Sequence, residues 1–178
     1  MGPCDSPAVT VQIRPLGPED APDFWHLRLE ALEQAPQAFG MSAEEHRETM
    51  PEDAARRLEH TPGGDFVLGA FHDGGLRGMV GFVRHQRFKM RHGGSVWGMY
   101  VAPELRGQGA GRRLMQELIA RVRTSPGLDR LTLSVTTEQT AARQLYLSLG
   151  FEIYGLERDA LRVEGRSIDE EHMVLALR

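Results

Sequence analysis

Arg106-Gly107-Gln108-Gly109-Ala110-Gly111 is the stretch of this chain best suited to chemistry, because three glycines there precede a run of apolar residues. Leu114, Leu118, Ile119 and Val122 recur at helical spacing, so a helix begins at about Gly109. The first N–H groups of a helix have no intrahelical partner. Glycines leave those groups uncovered, and the positive end of the helix dipole points the same way. A phosphate or pyrophosphate is the ligand such a terminus suits.

Residue types exclude two phosphate loops. A Walker loop needs Gly-Lys-Ser/Thr at its end, and the only lysine of the chain is Lys89, outside the segment. A dinucleotide fingerprint needs a third glycine where Arg112 stands, and it belongs to an early strand–helix–strand unit. The pattern that is met is Arg/Gln-x-x-Gly-x-Gly/Ala, by Arg106, Gly109 and Gly111.

Further residues follow in a fixed order. Met99-Tyr100-Val101-x-Pro103-Glu104 precedes the loop. Downstream, Leu131 to Val135 reads as a strand of β-branched and apolar residues, and Ala141 to Tyr146 as a short helix. Leu149-Gly150-Phe151-Glu152 ends that helix, with Gly150 as its C-cap. The first block resembles the acyl-CoA loop of the GNAT superfamily of N-acetyltransferases. The second resembles that family's segment Asn-x-x-Ala-x-x-Leu-Tyr-x-x-x-Gly-Phe. The resemblance is strong over roughly residues 66 to 158 and loose over the N-terminal helices. Gln139 stands where many relatives carry Asn, so its amide sits on a longer arm.

The resemblance implies an α/β (α+β) fold, with a mixed central sheet of about seven strands flanked by about four helices. The sheet is expected to splay between its fourth and fifth strands. It implies transfer of an acetyl group from acetyl-CoA, a cosubstrate, to a primary amine by direct attack in a ternary complex. The expected acceptor is a small molecule. The alternatives are a protein or peptide N-terminus, or a non-catalytic acyl-CoA-binding sensor domain. Met99, Tyr100 and Val101 are expected along the pantetheine arm, and Arg106, Gly107, Gln108, Gly109, Ala110, Gly111 and Arg112 around the pyrophosphate. Gln139 and Ala142 are expected beside the cofactor. Tyr146 matches the family tyrosine near the CoA sulfur, and its phenol is suited to protonate a departing thiolate. A bulge near Gly98-Met99 would supply the splay, since glycine inside a strand often marks one. A backbone N–H around Met99 would then face the thioester carbonyl.

The sequence singles out no general base. His92, just before the strand that would hold CoA, reads first as an exposed turn histidine, with a place in the acceptor cleft as the weaker alternative. His85 and His72 are weaker choices, and His26 and His46 read as helix-face residues. Glu104 reads as a turn residue, and the acidic run Asp169-Glu170-Glu171 as solvated charge. Acceptor specificity in this fold points to Trp25, Arg28, Leu29, Phe39 and Glu44 on the first helices, with Tyr154 and Arg158 in the final hairpin.

Composition bounds the rest. A chain of 178 residues, 40% hydrophobic and 26% charged, has the make-up of one globular domain over 9–178 behind a flexible leader at 1–8. Its net charge of −4 argues against general nucleic-acid binding. A single cysteine, Cys4, excludes an internal disulfide and a thiolate metal cluster, and no metal is expected. No apolar run is long enough to span a membrane, and no basic start leads into an apolar stretch, so the expected compartment is the cytoplasm. Homodimers are common in the family, and the resemblance allows one here.

The elements that must position these residues follow in order. Val9 to Arg14 alternates as a strand, and Pro18-Glu19-Asp20 introduces a helix to about Gln34. Ser42-x-x-Glu45 has capping-box spacing and starts a second helix, which Pro51 interrupts before it resumes to about His60. Phe66 to Phe71 and Leu76 to Arg87 form a hairpin across Asp73-Gly74-Gly75. Glu152 to Leu161 and Glu171 to Leu177 close the sheet around a turn at Val163 to Arg166.

Overall fold

A computed structural model describes residues 10–59 and 64–178. The expected leader at 1–8, Val9 and most of the loop at Pro62-Gly63-Gly64 lie outside the described residues. Seven strands form one mixed sheet: β1 (Gln12–Pro15), β2 (Phe66–His72), β3 (Gly75–Arg84), β4 (Gly93–Val101), β5 (Arg130–Thr136), β6 (Glu152–Val163) and β7 (Arg166–Ala176). Their spatial order is β1-β2-β3-β4-β5-β7-β6. Five helices flank it: α1 (Ala21–Gln34), α2 (Ala43–Arg47), α3 (Pro51–Leu58), α4 (Ala110–Arg123) and α5 (Thr140–Ser148).

Local chemistry sets these boundaries. Ser42 Oγ accepts from Glu45 N while Glu45 Oε2 accepts from Ser42 N, which is the capping box read from the spacing. Pro51 has no N–H to donate into α2, so it opens α3 as a separate helix and raises the count from about four to five. Two tight hairpin turns place Asp73 and Gly74, then Glu164 and Gly165, at positive φ, the geometry that matches strand twist. The chain enters α1 past Arg14, whose two terminal nitrogens each donate to Asp20 at 2.7 Å.

The sheet separates two cores. On one face, Leu114, Leu118 and Val122 of α4 and Tyr146 of α5 pack on Val80, Val96, Leu131 and Leu133. On the other, Phe24 and Leu27 of α1 and Leu58 of α3 pack on Val67, Met79 and Tyr100. Gly81 is small because the Trp97 ring covers it; an added Cβ would lie 2.1 Å from Trp97 Cε2.

Among the described residues, the only parallel pairing is the one the site needs. β4 and β5 pair for three residues, Gly93–Ser95 with Arg130–Thr132, and then diverge. Ser95 Oγ and Thr132 Oγ1, 3.0 Å apart, stitch the closed end. Against β3, the register advances from Trp97 to Tyr100 while β3 advances only from Gly81 to Met79, so β4 holds one extra residue. Gly98 sits in that bulge at φ +64, a conformation costly for any residue with a Cβ.

Candidate functional site

Beyond Ser95 the diverging strands leave a channel through the sheet. It begins in a cavity of about 610 Å3 at the start of α4. It narrows to about 90 Å3 between Met99 and Tyr146, and widens again to about 310 Å3 on the α1 side. Neighbouring compartments share their walls: Met99, Gln139, Ala142 and Tyr146 line the first two, and Gly98, Leu133 and Ser134 the last two.

The first cavity gathers the residues singled out by the sequence. Met99, Tyr100, Val101, Arg106, Gly107, Gly109, Ala110, Gly111, Arg112, Gln139, Ala142 and Tyr146 all line it. Gln108 does not, because its Nε2 turns back to donate to the Glu104 carbonyl at 2.6 Å. Gly107 and Gly109 lie at φ +73 and +79, and a Cβ on either would meet nothing within 4 Å. They are glycine for backbone conformation, not for space. Gly111 differs: its Cβ would stand 3.0 Å from Met99 Cε, so it lets α4 approach β4.

No side chain caps the N-terminus of α4, and the first intrahelical bond there runs from Arg113 N to Gly109 O. The N–H groups before Arg113 are therefore free to hold an anion. Arg106 and Arg112 add positive charge while anchored, Arg106 Nε donating to the Val101 carbonyl at 2.9 Å and Arg112 Nη2 to Ser148 Oγ at 2.8 Å. Glu104 pairs with Arg77 at 3.1 Å, as suits a turn residue.

Tyr146 is 6% exposed in the narrow part of the channel, its ring 5.9 Å from that of Phe151. Burial alone pushes its phenol well above the ordinary tyrosine range, so the proton is held there. Tyr100 faces the opposite way and donates to Glu30 Oε1 on α1 at 2.9 Å. Burial, then that carboxylate, pushes its phenol up to about 12. Gln139 begins α5 without a side-chain cap, leaving its amide on the cavity wall.

The far compartment holds groups that local sequence patterns do not reveal. Ser134 Oγ lies on its wall, 2.8 Å from His172 Nδ1 of β7, and His172 Nε2 lies 3.0 Å from Glu157 Oε2 of β6. A carboxylate on Nε2 fixes the ring proton there and leaves Nδ1 to accept from the serine hydroxyl. Glu170 faces the same cluster, and burial raises its pKa. Its neighbours in sequence are neutralised, Asp169 by Arg158 at 3.2 Å and Glu171 by Arg143 at 2.6 Å. Arg28 reaches in from α1, its guanidinium 4.6 Å above the Phe39 ring.

His92 is an exposed turn residue, as its favoured reading expects, and not part of the cleft. It stands before the first residue of β4, with Phe88, Arg91 and Pro126, and its carbonyl accepts from Asp129 N at 2.7 Å. That is the closed end of the splay, and the channel opens toward the other end of the strand. His85 bonds Ser95 Oγ at 2.9 Å at the same closed end. His46 does lie on a helix, but it is buried, stacked on Trp25 and bonded to the Trp25 carbonyl at 3.0 Å. Among the other acceptor-side residues, Trp25 Nε1 donates to Thr49 Oγ1, Tyr154 and Phe39 line the far compartment, and Glu44 is exposed beside Arg47.

The model of the acetyltransferase (GNAT) family matches residues 24–151. The chain is 34% identical over 142 residues to the mycothiol acetyltransferase of Salinispora arenicola, a match covering 79% of this chain and 44% of that protein. It thus spans less than half the length of that relative. An acetyltransferase of the GNAT family from Streptococcus pneumoniae has the same fold, with a TM-score of 0.79 at 26% identity over 94% of this chain and 99% of the other. So does a phosphinothricin acetyltransferase from Sinorhizobium meliloti solved in complex with AcCoA, with a TM-score of 0.79 at 22% identity over 94% and 88%.

Proposed function

The chain belongs to the GNAT family of acetyltransferases, and from that premise we propose that it moves an acetyl group from acetyl-CoA to a primary amine on a small acceptor. The observation that carries this reading is the row of three cavities with shared lining residues, from the start of α4, past the Gly98–Met99 bulge and Tyr146, to the α1 side of the sheet. Two substrates entering from opposite faces meet at its narrowest point.

The residues present fit the cofactor. The uncovered N–H groups at the start of α4, with Arg106 and Arg112, suit a pyrophosphate. The unpaired stretch of β4 after Ser95 offers backbone groups to the amides of a pantetheine arm. When bound, acetyl-CoA supplies the acetyl group as a thioester.

The remaining work falls to the protein. Gly98 and Met99 have no register partner on β3, and an N–H released by that bulge is a donor for a carbonyl oxygen gaining charge. Tyr146 holds a proton in the narrow part of the channel, where a thiolate would need one. An ammonium has no lone pair, so the acceptor must lose a proton. Ser134 Oγ, His172 and Glu157 form a hydrogen-bonded route that carries it from the cleft to the surface.

The test is free-thiol release from acetyl-CoA across amines, amino acids, aminoglycosides and peptides, with Tyr146→Phe as control. Release with one amine class, slowed in the control, supports the enzyme. Calorimetric CoA binding without release on any amine favours a sensor domain instead. Binding alone should appear as about 2.7 kcal/mol of stabilisation at 100 times the dissociation constant.

A further inference from the structure

Among the described residues, Arg28 is a cation without a counterion. Its Nη1 is buried and has no hydrogen-bond partner among the described residues. Several other arginines meet carboxylates, Arg14 with Asp20, Arg143 with Glu171 and Arg162 with Asp159 among them. The neighbours of Arg28 make its position worse. Arg57 lies near enough to repel it, and burial, then Arg57, lower its pKa to about 10, so it is still charged at neutral pH. The positive charges of Arg28 and Arg57 also reach buried His46. A buried charge that lacks a partner is costly, and such violations of local consistency mark functional positions.

Its location says what it serves. Arg28 lines the compartment of about 310 Å3 on the acceptor side, a volume suited to a small molecule. A Cβ placed on Gly98 would stand 3.6 Å from Arg28 Nη1, so the guanidinium reaches the bulge itself. Charge of the other sign lies behind the opposite wall: Ser134 on that wall is bonded to His172, and Glu157 and Glu170 cluster around His172. One wall suits an anion and the other an ammonium.

We propose that Arg28 binds a carboxylate of the acceptor, so that the substrate is a small amino acid carrying its amine and its acid within one compartment. The guanidinium presents paired N–H donors in the geometry a carboxylate accepts, and Phe39 holds its plane. A peptide N-terminus, whose amine is followed by a neutral amide, leaves Arg28 unmatched. This inference rests on the acetyltransferase reading for its chemistry, but the anion site can be tested without turnover.

The experiment measures thiol release with L-amino acids against their carboxamides, for wild type, Arg28→Gln and Arg28→Lys. In parallel, thermal unfolding is followed with N-acetylglycine and N-acetyl-L-glutamate as probes, with and without CoA. We expect kcat/KM at least about tenfold higher for acids than for amides, discrimination lost in Arg28→Gln and partly kept in Arg28→Lys, and unchanged calorimetric affinity for acetyl-CoA. Because the substitution removes an unpaired buried cation, Arg28→Gln should unfold no earlier than wild type without ligand, and the probes should raise the unfolding temperature of wild type alone. Amides or peptides used as well as acids, or discrimination that survives Arg28→Gln, overturns the proposal. Probes that stabilise neither protein do so too. Failure of CoA to bind overturns the acetyltransferase reading instead, and the probes then judge Arg28 by themselves.

Discussion

Ser134 and His172 face each other across β5 and β7, with Oγ and Nδ1 2.8 Å apart, and Glu157 on β6 occupies the other ring nitrogen. The bond joins the wall of the acceptor compartment to the outer hairpin. If these three side chains carry the proton of the acceptor amine, they act as a unit. His172→Ala should then lower kcat by about tenfold to a hundredfold while leaving acetyl-CoA affinity intact. Ser134→Ala should cost a similar factor, and the double variant little more than either single one. Independent, multiplying losses in steady-state kinetics would remove the relay.

Tyr146→Phe keeps the ring against Phe151 and removes only the hydroxyl. The expected loss is about a hundredfold in kcat, with CoA affinity unchanged by calorimetry. Because burial raises the phenol's pKa, it stays protonated through neutral and mildly alkaline pH. A fall in rate between about pH 7 and about pH 9 that disappears in Tyr146→Phe would contradict that protonation state.

At Gly109 two substitutions separate backbone from charge. Gly109→Ala must hold a Cβ residue at φ +79, costing about 1–2 kcal/mol of stability, read from chemical denaturation. Gly109→Asp tolerates that φ better, since a short polar side chain adopts it, yet it brings negative charge to the open start of α4. Acetyl-CoA affinity should fall at least about tenfold, or 1.4 kcal/mol, in Gly109→Asp. Equal affinity in wild type and Gly109→Asp would mean that the pyrophosphate does not lie there.

His46 gives a stability signal with a definite sign. Burial, with further contributions from Arg28 and Arg57, holds its pKa below the ordinary 6.5 despite its bond to the Trp25 carbonyl. The unfolded chain therefore takes up the proton first as pH falls. The stabilising contribution is complete above pH 6.5, declines below it and is lost as pH passes through the lower folded value. The unfolding temperature should drop between about pH 7 and about pH 5, and less in His46→Gln, whose amide can still donate to that carbonyl. Asp20, whose pKa Arg14 depresses, has the same sign but acts only below its ordinary 3.8, so the two windows do not overlap.

The cavity proposed for the donor was legible in its residues because its requirements are local. A phosphate loop needs glycines at fixed offsets, and Gly107, Gly109 and Gly111 carry that requirement in six residues. The bulge was legible for the same reason, since Gly98 interrupts an otherwise apolar strand. The acceptor half depends on strand order. β7 lies between β5 and β6, which brings His172 beside Ser134 across 38 residues of chain, and no periodicity encodes that neighbour. The weaker reading of His92, a place in the cleft, lapses for a related reason. Being next to a strand in sequence does not say which end of the strand holds the cleft, and β4 enters the sheet at its closed end. Arg28 was among the residues picked for specificity, but the lack of a partner that makes it informative emerges only in three dimensions.

The early parting of β4 and β5 also decides where in the sheet strand backbone is left without a partner. Unpaired strand backbone is normally a hazard at the rim of a sheet, where another chain can add to it. Here the backbone that β4 leaves unpaired toward β5 lies in the middle of the sheet, and its tightest surroundings are a space of about 90 Å3 walled by Phe39 and Tyr146. The fold thus keeps a row of peptide hydrogen-bonding groups open inside the sheet instead of at its rim.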